Sequence, residues 1–148
     1  MQIAGSYRFE APPADVWEAL NDPAVIASCL PGCESLEPLG DDRYRASLTV
    51  GVAAISGRYQ GTVEIRDRQP CTSYRMIVEG RGRAGIVKGV AVVQLSEDGP
   101  CTVVAVDGTG QVGGTIARVG QRLLGSVSKM MMDRFFKCLT NKAAAGAG

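Results

Sequence analysis

Two stretches carry the G-x-G-x-x-G spacing that brings backbone amides close to a phosphate: Gly80-Arg-Gly-Arg-Ala-Gly85 and Gly108-Thr-Gly-Gln-Val-Gly113. The second follows a strand pattern and precedes a helical one. A dinucleotide site also needs a parallel strand after that helix and an acidic residue about 20 positions on. Here the helical pattern closes the chain, so the glycines are read as strand kinks, bulges and a tight entry into a helix. Cys29-Leu-Pro-Gly-Cys33 has the look of half a metal site, but zinc needs four ligands, and Cys71 and Cys101 form no second pair. The sequence contains no histidine. That excludes a Ser-His-Asp or Cys-His arrangement, an imidazole ligand and an imidazole proton shuttle. No metal and no cofactor is expected. The carboxylates Glu34, Glu37, Glu64, Asp67, Glu79, Glu97 and Asp107 fall mostly on polar-facing strand positions or turns. An acid-base pair would need Glu79 or Asp107 to face inward, with Arg75 a further candidate.

The elements that must position these residues follow from periodicity. Ile3, Gly5, Tyr7 and Phe9 alternate with Ala4, Ser6 and Arg8, as in a half-buried strand. Pro12 and Pro13 suit a helix start, with Val16, Trp17 and Leu20 as its apolar face. Asn21-Asp22-Pro23 starts a second short helix that buries Val25, Ile26 and Leu30, and Pro31-Gly32 ends it at a corner. From Glu34 the period changes to two for about 75 residues. Tyr44, Ala46, Leu48, Val50 and Val52 form one apolar row, and Tyr59, Gly61, Val63 and Ile65 form the next. Tyr74, Met76 and Val78, then Val90 and Val92, then Thr102, Val104 and Val106 continue the series. Turn residues punctuate it at Gly40-Asp41-Asp42, Asp67-Arg68-Gln69-Pro70 and Glu97-Asp98-Gly99-Pro100. Short turns between long strands imply antiparallel neighbours.

Over residues 114–142 the period becomes 3.6, with Ile116, Val119, Leu123, Val127, Met130, Met131, Phe135 and Leu139 on one side. The predicted order is β-α-α-β-β-β-β-β-β-α: an α+β fold with a seven-stranded antiparallel sheet and one long C-terminal helix as its second layer. Residues 1–142 are expected to form a single domain and residues 143–148 a flexible tail. Lys plus Arg total 16 and Asp plus Glu 15, so nothing suggests electrostatic binding to nucleic acid. The first residues lack the charged and apolar regions of a secretory signal, and no apolar run reaches the roughly 18 residues of a membrane span. Five cysteines, an odd number, in a chain read as cytoplasmic predict reduced thiols rather than a disulfide framework. The Met130-Met131-Met132 run with Phe135 and Phe136 is wider than a sheet-facing stripe needs. Arg118, Arg122, Lys129, Arg134, Lys137 and Lys142 make the same helix basic. Its second half is thus where a partner or membrane contact is expected.

Several sequence words also resemble a known family. They are Gly5, Phe9-Glu-Ala-Pro-Pro-Ala-Asp-Val-Trp17, Leu20-Asn-Asp-Pro23, Cys29-Leu-Pro-Gly-Cys-Glu34 and Gly57-Arg-Tyr-Gln-Gly61. Gly80-x-Gly82 with Gly85 and Gly89, Gly113-Gly-Thr-Ile-Ala-Arg-Val-Gly120 and Phe135-Phe136 complete the set. Together they resemble the START-like, or SRPBCC, superfamily with its helix-grip fold, and within it the CoxG family, named for the G subunit of carbon monoxide dehydrogenase. The resemblance implies a sheet curved around the last helix with an apolar cavity between them. It implies a non-catalytic accessory protein that assists membrane recruitment or assembly of a molybdenum-containing carbon monoxide dehydrogenase or related hydroxylase. The implied ligand is hydrophobic, a quinone or other lipid, and the implied location is cytoplasmic or peripheral at the inner face of the plasma membrane. Within such a cavity, periodicity selects Leu48, Val50, Tyr59, Met76, Val90, Val104, Ile116, Val119, Leu123 and Val127 as the lining. A cyclase or aromatase-like enzyme of the same superfamily is the alternative, and a docking subunit without ligand is a third reading. One scaffold hosts all of them.

Overall fold

The computed structural model describes residues 1–51 and 55–147, with side chains through residue 142; Val52 and Gly148 lie outside the described residues. Strand β1 (Gln2–Phe9) is followed by helices α1 (Pro13–Asn21) and α2 (Pro23–Cys29). Six strands come next: β2 (Cys33–Gly40), β3 (Arg43–Val50), β4 (Gly57–Gln69), β5 (Ser73–Gly82), β6 (Gly85–Asp98) and β7 (Cys101–Gly113). A 3-10 turn (Gly114–Arg118) leads into helix α3 (Gln121–Ala147). The sheet has seven strands in the order β1-β7-β6-β5-β4-β3-β2, and every neighbouring pair is antiparallel. Strands β2 to β7 pair in sequence order, whereas β1 crosses the whole chain to pair with β7, from Gln2 opposite Thr109 to Phe9 opposite Thr102. The architecture is the α+β, single-sheet arrangement expected.

The helix starts follow from their first residues. Pro23 occupies the first turn of α2, and the Asp22 carboxylate accepts from the Ala24 amide at 3.0 Å, which satisfies one orphan donor. At the corner after α2, Gly32 has φ +75°, and a Cβ there would meet the Thr49 carbonyl oxygen at 2.1 Å. Only glycine fits that corner.

Helices α1 and α2 and the second half of α3 pack at one end of the sheet's inner face. Phe9, Val16, Leu20, Tyr74, Val93, Leu95, Val104, Val106, Phe136 and Leu139 form the main core, with Trp17, Met76, Met132 and Phe135 against it. Tyr7 stacks on Phe136 at 4.2 Å, and its hydroxyl donates to the Asp133 carboxylate at 2.7 Å, so β1 grips α3 by both packing and hydrogen bonding. The buried Thr102 hydroxyl donates to the Ala11 carbonyl at 2.8 Å. A smaller cluster of Ile55, Ile116, Leu124 and Val127, with Val50, Tyr59, Val87, Val112 and Val119, fills the opposite end.

Three expectations are corrected. The closing helix does not run unbroken from residue 114. Gly120 adopts φ +97° and separates the 3-10 turn from α3, and the break shifts the phase. Leu124 is therefore buried, and Leu123, expected inside, is exposed. The helix also continues to Ala147, past the expected end at Lys142.

On β6 the apolar row Val90-Ala-Val-Val93 leaves the face ambiguous, because both parities are apolar. Pairing decides it: Ala91 lies opposite Met76 and Val93 opposite Tyr74, and directly opposed residues share a face. Val90 and Val92 consequently point outward, 42% and 37% exposed, and Val93 and Leu95 are buried.

Finally, Cys29 and Cys138 are joined in a disulfide, where reduced thiols were expected; Cys33, Cys71 and Cys101 are free. The fold brings the last residue of α2 against α3 with Cα atoms 5.3 Å apart, inside the span a disulfide bridges. A separation of 109 residues hides that approach from the sequence.

Candidate functional site: an apolar cavity between sheet and helix

The inner face of β3, β4 and β5, the two short helices and the second half of α3 leave a cavity of about 320 Å³ between them. Its floor is Ala46 and Leu48 of β3, Tyr59, Gly61, Val63 and Ile65 of β4, and Tyr74, Met76, Val78 and Gly80 of β5. The wall is Leu20, Pro23, Ile26 and Leu30 on one side and Met131, Met132, Phe135 and Phe136 on the other. The volume is at the lower end of what small-molecule sites offer, and an apolar lining with few polar groups is their usual character.

Two glycines hollow out the floor for different reasons. Gly61 lies opposite Gly80 in the β4–β5 pair. A Cβ at Gly61 would meet the Glu79 carbonyl oxygen at 1.9 Å, so close strand approach forbids a side chain. A Cβ at Gly80 would meet nothing within 4 Å, and its φ lies outside the positive range. Backbone geometry therefore does not require glycine at 80. Glycine in a strand interior costs about 0.5–1 kcal/mol relative to alanine, and what it leaves here is open space at the cavity's rim, where half-buried Gly80 also borders the outer groove.

Polar groups gather where α1 meets the end of β4. Asp67, with φ +55°, sits in the register shift between Arg66 and Gln69, and this bulge turns Arg68 toward the cavity. The Arg68 Nε donates to the Asn21 side-chain oxygen at 3.0 Å, and its guanidinium pairs with Asp42. Asn21 in turn donates to the Trp17 carbonyl at 2.9 Å. Tyr74 is buried beside this group, edge-on to Trp17 at 5.7 Å. Burial pushes its hydroxyl up to about 12, with the Arg68 charge opposing. At the other end, the Tyr59 hydroxyl donates to the Ile55 carbonyl at 2.7 Å, and burial raises its pKa as well. The arrangement can hold an apolar body with its polar end toward Tyr74 and the Asn21–Arg68 pair.

The acid-base candidates do not converge there. Asp107 and Arg75 are exposed on the outward face, and Arg75 lies 3.8 Å from Asp67. Glu79 is exposed where the cavity rim meets a shallower outer groove of about 260 Å³ that also touches Gln60, Thr62, Arg81 and Lys88. Among the described residues no cluster of three or more His, Cys, Asp or Glu could hold a metal.

Of the ten residues chosen by periodicity, Leu48, Tyr59 and Met76 line the cavity. Val104 is fully buried in the main core. Val50, Ile116, Val119 and Val127 belong to the second cluster, and Val90 and Leu123 are exposed. The first half of the closing segment is hence packing, and the Met-rich second half supplies the cavity wall. That half already stood out for its excess apolar width. No periodicity singles out Arg68 or Gly80, because a turn residue and a glycine carry no apolar signal.

The family model for CoxG, the G subunit of carbon monoxide dehydrogenase, matches residues 5–144. The chain belongs to the CoxG family. Among solved structures, the chain superposes on a conserved protein from Geobacillus kaustophilus with a TM-score of 0.95 and 34% identity, covering 100% of this chain and 98% of that one. It also matches a protein from Thermus thermophilus (TM-score 0.76, 18% identity, 100% of both chains) and one from Chromobacterium violaceum (0.76, 15%, 96% of both). These two show the shared helix-grip fold alone. No match was found among curated proteins. Among the described residues, no helix is long and apolar enough to cross a membrane.

Proposed function

We propose that this CoxG-family chain is a non-catalytic accessory protein of a molybdenum-containing carbon monoxide dehydrogenase or related hydroxylase. It binds a hydrophobic ligand, a quinone or other lipid, in the cavity between sheet and α3 and assists membrane recruitment or assembly of the enzyme. The observation that carries the ligand is Gly80. A strand position with open space above it and no backbone need for glycine keeps an apolar void that packing would otherwise fill. Binding would draw on apolar burial of roughly 25 cal/mol per Å², with Tyr74 and the Asn21–Arg68 pair orienting the polar end. Family membership supports the enzyme partner, through the dehydrogenase for which the family is named. Native mass spectrometry of the purified protein should find a retained lipid, and menaquinone or ubiquinone analogues should raise its melting temperature. Neither a retained mass nor any stabilisation would refute the ligand. Failure to co-purify with a molybdenum hydroxylase produced in the same cell would refute the partner.

A further inference from the structure

We propose that the Cys29–Cys138 disulfide is a redox latch on one wall of the cavity: oxidised, it clamps α2 to α3, and reduced, it lets α2 swing away and opens a further route to the interior beside the rim at Glu79. The inference rests on the cavity reading only for what passes through the route.

The bridge sits at the seam of the wall. Cys29 ends α2, three residues after Ile26 and just before Leu30, both of which line the cavity. Cys138 lies on α3 three residues after Phe135, which lines it from the other side. Helix α2 has seven residues, too few to be stable by itself, and it hangs between the Asp22-Pro23 joint and the Pro31-Gly32 corner. Its hydrogen bonds are local: the Ile26 amide donates to the Asp22 carbonyl at 3.0 Å, the Leu30 amide to the Ile26 carbonyl at 2.9 Å, and the Ser28 hydroxyl to the Val25 carbonyl at 2.9 Å. The covalent link to α3 is therefore added to apolar packing alone. Cys29 is only 5% exposed, whereas Cys138 is half-buried, which makes the Cys138 side the more accessible end of the bridge.

The chemistry is ordinary exchange. The thiolate of a small thiol reductant such as glutathione attacks Sγ of Cys138, the S–S bond breaks and Cys29 leaves as a thiolate. A second thiol resolves the mixed disulfide. Two electrons pass from two reductant thiols, which become one disulfide, and their two protons finish on Cys29 and Cys138.

Three readouts test the latch. Protein purified without reductant is first alkylated with iodoacetamide and digested: Cys71 should react, and Cys29 and Cys138 should not. Alkylation of both overturns the proposal. Amide hydrogen exchange is then followed before reduction, after dithiothreitol and after reoxidation. Exchange at Ile26 and Leu30 should rise about tenfold or more on reduction and return on reoxidation, with β7 amides such as Val104 unchanged. Cys138→Ser should exchange like the reduced protein. No change in α2, or an equal rise throughout the chain, overturns the proposal, since the bond would then be inert or merely stabilising. Release of the apolar dye 1-anilinonaphthalene-8-sulfonate is the third readout, and it should quicken about tenfold on reduction in parallel with α2 exchange. Equal release in both states overturns the gate. If the dye binds neither state while α2 still responds, the latch stands and the cavity reading fails.

Discussion

Replacing Gly80 by leucine separates a cavity kept for a ligand from a cavity left by loose packing. The new side chain starts from a strand backbone that any residue adopts and enters space where a Cβ meets no atom within 4 Å. Relief of strand glycine contributes about 0.5–1 kcal/mol. Burying the four added carbons in an apolar void contributes about 1.5–3 kcal/mol. The ligand-free protein should thus gain about 1–3.5 kcal/mol once the roughly 0.5–1 kcal/mol of leucine rotamer entropy is subtracted, and its melting temperature should rise. Ligand binding should move the opposite way. Each roughly 60 Å² of ligand surface displaced forfeits about 1.5 kcal/mol, which is about tenfold in affinity. The assay is thermal unfolding of wild type and Gly80→Leu with and without a menaquinone analogue, together with native mass spectrometry of the retained lipid. Gly61→Ala is the contrast, because its Cβ would press the Glu79 carbonyl at 1.9 Å and should destabilise outright. A Gly80→Leu protein that is less stable than wild type, or that binds the analogue equally well, would refute the reasoning.

The remaining expectations concern the core, the titrating groups and the outer face. Leu139→Ala, at a fully buried position of α3, should lose about 2–5 kcal/mol in urea unfolding, read as a lower midpoint at unchanged slope. Tyr74 has its hydroxyl pKa raised from 10.0 to about 12 by burial, so its contribution to stability is complete below pH 10 and is lost as pH rises through 12. Unfolding free energy should fall across that interval, and Tyr74→Phe should make the fall shallower. Tyr7 and Asp133 oppose each other in sign. Burial, then the bond to Asp133, raises the Tyr7 hydroxyl, whereas acceptance of that bond lowers the Asp133 carboxyl. Tyr7→Phe should therefore return the Asp133 pKa toward its ordinary value, as followed by NMR titration of the carboxyl. Asp107→Asn and Arg75→Ala, on the outward face, should change stability by no more than about 0.5 kcal/mol and leave ligand binding unaltered. A large loss of binding in either would move the chemistry to that face.

The sequence by itself determined the element order, the antiparallel neighbours and the family. Strand alternation at Tyr59, Gly61 and Val63, the proline starts of α1 and α2 and the corner at Gly32 are local signals, set by backbone sterics and by which residues lie two apart. Leu48, Tyr59 and Met76 were legible as inward for the same reason. Tertiary structure alone decided everything that depends on approach between distant segments. The parity of β6 came from its pairing with Tyr74 and Met76, since Val90 to Val93 are apolar on both faces. The phase of α3 came from the left-handed Gly120, which one periodic stripe running through it cannot show. Arg68 reached the cavity by a bulge, and Cys29 met Cys138 across 109 residues. A void has no residue of its own to leave a pattern, so the role of Gly80 emerged only once strands, α2 and α3 stood around it.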